Sequence, residues 1–162
     1  MVIPTEALQL VRRRLPNDRQ AITRCFVVDG HKGYVTVGMY KDGTPGEIFI
    51  TMAKEGSALS GLLDAFAVSV SMALQHGLPL KSLLGKFCSA RYEPSGHTSD
   101  SCIPFATSIT DYVFRWLGLK FLSLEEMQEV GVVSRCEECG KALAHDGRTY
   151  PCISCVAGVS SG

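Results

Sequence analysis

Two cysteine pairs near the end of the chain, Cys136/Cys139 and Cys152/Cys155, have the spacing of metal or thiol chemistry. Each is a CxxC turn, and twelve residues separate them. A CxxC turn sets two thiolates on one side of a metal, and two facing turns complete the tetrahedron that structural zinc prefers. The surrounding segment is too poor in apolar residues to fold without a staple. The alternative is a dithiol shuttle, which needs an exposed cysteine of lowered pKa in each pair. Doubling of the motif favours zinc bound by Cys136, Cys139, Cys152 and Cys155. His145, between the pairs, reads as a loop histidine because four thiolates already suffice. The remaining thiols, Cys25, Cys88 and Cys102, lie in or beside apolar segments and read as buried and without function.

Two further stretches could hold an anion. "MAKEGS" leads from a strand into a helix, where free backbone N–H groups and the dipole favour negative charge. Lys54 adds a cation, Gly56 permits close approach, and Ser57 caps the helix or touches a ligand. The plainer reading is that Ser57 only caps and Lys54 is solvated. "ARYEPSGHT" crowds Arg91, Glu93, Ser95, His97 and Thr98 around a proline and a glycine, a density typical of recognition loops. Its plainer reading is an ordered turn with Arg91 paired to Glu93. If both stretches meet, Lys54, Gly56, Ser57, Arg91, Glu93, Ser95 and Thr98 form one ligand site for a nucleotide or other phosphorylated small molecule. No Ser/His/Asp or Cys/His pairing and no Walker-type phosphate loop is present, so no catalytic residue is assigned.

The elements that must position these groups follow from periodicity. "CFVV" ends at the turn dipeptide Asp29-Gly30. In "YVTVGMY" Val35, Val37 and Met39 share one face, and in "EIFITM" Ile48, Ile50 and Met52 do. Short turns join these runs into an antiparallel meander. From Ser57, leucines and other apolar residues recur at helical spacing until Gly77, with Pro79 beyond. Asp64 is the only charge inside, which predicts a helix buried over most of its surface. "PLKSLLGKF" fits a second helix. Phe105, Ile109, Tyr112, Val113, Trp116 and Leu117 mark a third, with Asp111 and Arg115 paired on its surface. Ser123 and Glu126 form a capping-box pattern for a fourth that stops at Gly131. The fold expected is α+β, a three-stranded meander packed by three to four helices, with a zinc-ribbon-like tail. The organisation is a polar, basic lead-in over 1–22, an α+β domain over 23–131 and a four-cysteine tail over 132–162.

Composition narrows the class. Sixteen basic and sixteen acidic residues cancel across 162 residues, which argues against nucleic acid and membrane partners. Arg12, Arg13 and Arg14 read as a solvated lead-in in preference to a phosphate patch. No cleavable leader and no uninterrupted apolar run of spanning length is seen, and the CxxC pairs suit a reduced, cytoplasmic setting. Trp116 and Phe121 exceed what a small sheet covers, which predicts a homodimer or larger self-assembly.

Taken together, "GYVTVGMYKDGTPGEIFITMAKEGSALSGLLDAFAVSVSMALQHGLPL", "KFCSARYEPSGHT" and "SITDYVFRWLGLKFL" resemble the C-terminal region of adenosylcobalamin-dependent, class II, ribonucleotide reductases. The resemblance runs from about Arg12 through the cysteine tail. It implies a region that follows the catalytic barrel, which some bacteria carry as a separate small polypeptide. The barrel that holds cobalamin, substrate and the radical cysteine is not in this sequence, so cobalamin is not assigned to it. The family tail typically carries further cysteines that relay electrons, whereas here none follows Cys155. The expectation is therefore a stand-alone, non-catalytic accessory subunit that partners a reductase catalytic subunit, with zinc as its cofactor. The alternative is a nucleotide-sequestering or regulatory protein, for example one encoded by a phage.

Overall fold

A computed structural model describes residues 11–54, 56–135 and 142–144. The meander forms as expected: β1 (Ala21–Val28), β2 (His31–Met39) and β3 (Pro45–Met52) pair antiparallel in that order. Asp29 and Gly30 take positive φ at the first turn, as a tight hairpin requires. Phe26, Val28, Val35, Val37, Ile48, Ile50 and Met52 all point to one face and are buried there. Tyr34 and Phe49 stand on the opposite face, partly exposed.

Four helices follow among the described residues: α1 (Ser57–Gln75), α2 (Leu80–Phe87), α3 (Ile109–Phe121) and α4 (Leu124–Glu129). Two short ladders complete the elements, β4 (Gly96–His97) with β5 (Phe105–Ala106), and β6 (Val133–Arg135) with β7 (Ala142–Ala144). Helix α1 packs along β3, burying Leu63, Ala67 and Val70. Its end is the predicted one. Gly77 takes φ of 86°, its N–H reaches the Leu74 carbonyl and that of Leu78 reaches Ala73, a Schellman closure. The capping box also forms, with Ser123 and Glu126 bonding each other's backbone N–H groups.

Several expectations are corrected. Helix α1 begins one residue earlier in the capping sense: Gly56 is the N-cap and Ser57 the first helical residue. Its burial is one-sided. A three-stranded sheet covers a single stripe, so Leu62, Val68 and Met72 on the far side remain 70%, 52% and 46% exposed. By length and composition Ala58–Gln75 would pass for a membrane span, but here it lies against β3. Phe105 does not belong to α3. It pairs with His97 in the β4–β5 ladder, and Ser108 caps the helix by accepting from the Asp111 N–H. Asp111 and Arg115 are not a surface pair but are buried in the core. Nor are the three body cysteines all buried: Cys25 and Cys102 are exposed and Cys88 is half-buried. Trp116 and Phe121 pack half-buried against the core.

The lead-in is exposed yet anchored. The Arg13 N–H donates to the Gln75 carbonyl at 2.8 Å, and Arg12 Nε donates to the Gln75 side chain at 2.7 Å. Gln75 in turn donates to the Gly46 carbonyl at 3.0 Å. The end of α1, the lead-in and the start of β3 are thereby tied together.

Candidate functional site

Lys54 and Gly56 sit exposed at the junction of β3 and α1. The N-cap Gly56 has no side chain to offer the first turn of α1, where leading N–H groups carry the anion-binding character of helix starts. The Ala53 N–H donates to the Lys32 carbonyl, which fixes this junction beside the start of β2.

The second stretch lies at the same end of the sheet but on the other flank. The Asp29 N–H donates to the His97 carbonyl, Val28 bridges Thr98, and the Ser99 N–H donates to the Val27 carbonyl. Val27 is the register partner of Lys32. Ala53, Lys32, Val27 and Ser99 therefore form a continuous backbone ladder, and its ends stand three strand spacings apart, roughly 14 Å. That is too far for one phosphate to touch both stretches, though an extended molecule would reach. Arg91 is exposed farther along the loop, next to Tyr92, whose N–H donates to Thr107 near the start of α3. The expected Arg91–Glu93 pair does not form. Glu93 instead accepts from the Ser95 N–H at 3.0 Å and its hydroxyl at 3.3 Å. The Thr98 hydroxyl donates to the Ile103 carbonyl and accepts from the Asp100 N–H. Glu93, Ser95 and Thr98 thus organise their own loop.

Two carboxylates hold this loop in place: Asp100, which no motif in the sequence singles out, and Asp111, expected on the surface of α3 but buried. Asp100 accepts from Arg24 Nη2 at 2.8 Å and from the Tyr112 hydroxyl at 3.0 Å on one oxygen, and from the Cys102 N–H at 2.9 Å on the other. Burial first, then the neighbouring Asp100 charge, pushes the Tyr112 phenol up to about 12. Asp111 accepts from the Ser89 N–H at 2.6 Å and Arg115 Nε at 2.9 Å on one oxygen, and from the Thr107 N–H at 2.9 Å on the other. Burial, with the Asp111 charge second, pushes the nearby Cys88 thiol up to about 12. Both oxygens of each carboxylate accept from within the domain, which makes them staples for residues 89–108. A pointer lay in the polar stretch "HTSDS", which is costly to place beside a core unless its aspartate is satisfied.

Among the described residues no group of three or more His, Cys, Asp or Glu side chains could hold a metal. The predicted zinc ligands Cys136, Cys139, Cys152 and Cys155 lie outside the described residues. Residue 135 of β6 and residue 142 of β7 are register partners, and the sequence between them contains the first CxxC pair.

Comparison with known proteins gives the family. The TSCPD domain family matches residues 7–121, most of the chain, and this chain belongs to it. Relatives named vitamin B12-dependent ribonucleotide reductase share high identity. That of Rhodopirellula baltica is 52% identical over 112 residues, 69% of this chain and 11% of the relative. That of Streptomyces avermitilis is 46% identical over 124 residues, 76% of this chain and 13% of the relative. That of Bradyrhizobium diazoefficiens is 43% identical over 120 residues, 74% of this chain and 10% of the relative. The chain thus spans about a tenth of the length of these relatives. No solved structure matches. The resemblance to adenosylcobalamin-dependent reductases therefore holds.

Proposed function

We propose that this domain is a non-catalytic accessory part of a B12-dependent ribonucleotide reductase system, acting in cytoplasmic deoxyribonucleotide supply. The observation that carries the reading is the 52% identity to a reductase of that name across 112 residues. The internal hydrogen bonds of Asp100 and Asp111, on both oxygens of each, fit a structural role for them. The exposed apolar side chains on the solvent side of α1, Leu62, Val68 and Met72, suit docking onto the catalytic part of such an enzyme. Cys136, Cys139, Cys152 and Cys155 hold a structural zinc, a reading supported by the doubled CxxC and by the β6–β7 pairing around the first pair.

The test combines the purified chain with a reductase lacking its own TSCPD domain and measures ribonucleotide reduction with adenosylcobalamin and a dithiol. The chain alone gives no turnover, and the combination regains it. Turnover by the chain alone, or no gain on combination, overturns the reading. Elemental analysis of reduced protein gives one zinc per chain, and Cys136→Ala loses it. Light scattering on the chain alone separates docking of this face onto a reductase from self-association.

A second reading, nucleotide binding by Lys54, Gly56 and Ser57 with Arg91, Glu93, Ser95 and Thr98, is favoured by one observation: both stretches lie at the same end of the sheet. A nucleotide long enough to bridge them would lose affinity on Lys54→Ala and on Arg91→Ala, measured by calorimetry.

A further inference from the structure

At the opposite end of β2 from Lys54, the lead-in and the β2–β3 turn line an open cleft of about 340 Å³, formed by Arg13, Arg14, Leu15, Pro16, Tyr40 and Lys41. The volume falls at the small end of the range for small-molecule sites, roughly 300–1,000 Å³. Three of its lining residues are cations and none is a carboxylate. In a chain of zero formal charge this is a local concentration of one sign.

The cleft is built on fixed backbone. A Cβ on Gly46 would fall 2.6 Å from the Tyr40 ring and 2.8 Å from Leu15 Cδ1, so the glycine lets both side chains pack there. The buried Tyr40 hydroxyl donates to the Arg13 carbonyl, and the Arg13 guanidinium carbon stacks 3.8 Å over the ring centroid. Gln75 holds the Arg13 N–H from the other side. Arg14 and Lys41, the chain neighbours of Arg13 and Tyr40, are therefore presented from anchored positions. Neither has a hydrogen-bond or ion-pair partner among the described residues, whereas Arg13 Nη2 lies 3.0 Å from Asp42 Oδ2. The Thr44 hydroxyl and N–H, and then Arg13, hold the Asp42 carboxyl down at about 2, so it stays ionised and competes for Arg13.

Arginine forks and a lysine point charge around a small cleft match the oxygens of linked phosphates. We propose that this cleft binds a small molecule through a di- or triphosphate chain, with Arg14 and Lys41 as the principal contacts and Arg13 as a third, shared with Asp42. The site is separate from the stretches around Lys54 and Arg91, and stands or falls apart from the reductase reading.

The test titrates the full chain by calorimetry with inorganic tripolyphosphate, with a nucleoside triphosphate and with a short single-stranded oligonucleotide. Tripolyphosphate is expected to bind saturably and to weaken as salt rises. Arg14→Ala and Lys41→Ala each reduce affinity about tenfold, and Asp42→Asn strengthens binding by releasing Arg13. Thermal melting confirms that these exposed changes leave the fold intact. Tighter binding of the nucleoside triphosphate than of tripolyphosphate supports the proposal with a nucleoside-bearing ligand, and equal binding supports it with the phosphate chain alone. Absence of saturable binding by either, binding that responds to Lys54→Ala and to neither cleft variant, or binding of the oligonucleotide alone overturns it.

Discussion

Arg115 Nε donates to Asp111 Oδ1 at 2.9 Å inside the core, with the two side chains 2% and 0% exposed. The pair sits one turn apart on α3, yet its work is done across the chain, because Asp111 also accepts from the Ser89 and Thr107 backbones. Arg115 Nη2 is buried without a partner, so the pair is not fully satisfied. The two positions should respond unequally. Asp111→Ala strands a buried guanidinium and two backbone donors, and is expected to cost about 3–5 kcal/mol. Arg115→Met removes the orphaned nitrogen and leaves Asp111 its two backbone partners, so it should cost less. Urea denaturation of both variants checks the order, and equal losses would contradict it.

This pair also marks where sequence reading stopped. An acid and a base four residues apart look alike on a solvated face and in a core, and only the packing of α2 and α3 decides between them. Period-two alternation at Val35 and Val37, and at Ile48 and Ile50, was sufficient to place the meander, because one buried face fixes the register. Gly77 and the Ser123/Glu126 box marked helix ends because capping is local chemistry. Phe105 fits the helical period of α3, but its strand partner, His97, lies eight positions upstream and no period reveals it. The same holds for the candidate sites. Lys54 and Thr98 were legible as polar residues in unusual settings, but the two intervening strands that separate them belong to the topology. The cleft around Arg14 depends on Gln75 reaching back to the lead-in, a contact 63 positions apart for Arg12.

Thiol reactivity should divide by burial. Cys25 and Cys102 are exposed, while Cys88 is more enclosed and its thiol is pushed up to about 12. The thiolate is the reactive form. Brief alkylation of the native protein near neutral pH, read by peptide mass spectrometry, should modify Cys25 and Cys102 and spare Cys88. Labelling of Cys88 at the rate of the other two would show that its enclosure opens readily.

Gly33 is needed for space. A Cβ there would lie 2.5 Å from Phe26 Cζ and 2.8 Å from Met52 Sδ, between neighbouring strands on the buried face. The Phe26 ring is held against Tyr112, 5.1 Å between centroids, and cannot simply rotate away. Gly33→Ala should therefore destabilise by about 1–3 kcal/mol through overpacking. Gly61→Ala, where nothing lies within 4 Å, is the control and should leave stability unchanged or raised. Thermal melting of the two variants distinguishes crowding from a general dislike of alanine.

The alkaline limb of stability should carry the signature of two weak acids, the half-buried Cys88 and the buried Tyr112. Cys88 is raised from 9.0 to about 12 and Tyr112 from 10.0 to about 12, each chiefly by burial. Well below pH 9 both groups are protonated in the folded and unfolded chain alike, so neither contributes a slope. As pH rises further the unfolded chain releases protons that the folded chain keeps. The unfolded state then binds fewer protons, and by linkage stability falls with pH until the folded groups titrate near 12. Replacing Cys88 by alanine removes one of the two titrations, and Tyr112→Phe removes the other. Tyr112→Phe also deletes a hydrogen bond to ionised Asp100, a loss of roughly 1.5–3 kcal/mol present already at neutral pH. Urea midpoints measured from neutral pH upward should thus show a shallower alkaline decline for both variants, with a lower starting point for Tyr112→Phe. An unchanged decline in both would mean that Cys88 and Tyr112 reach solvent in the folded chain as easily as in the unfolded one.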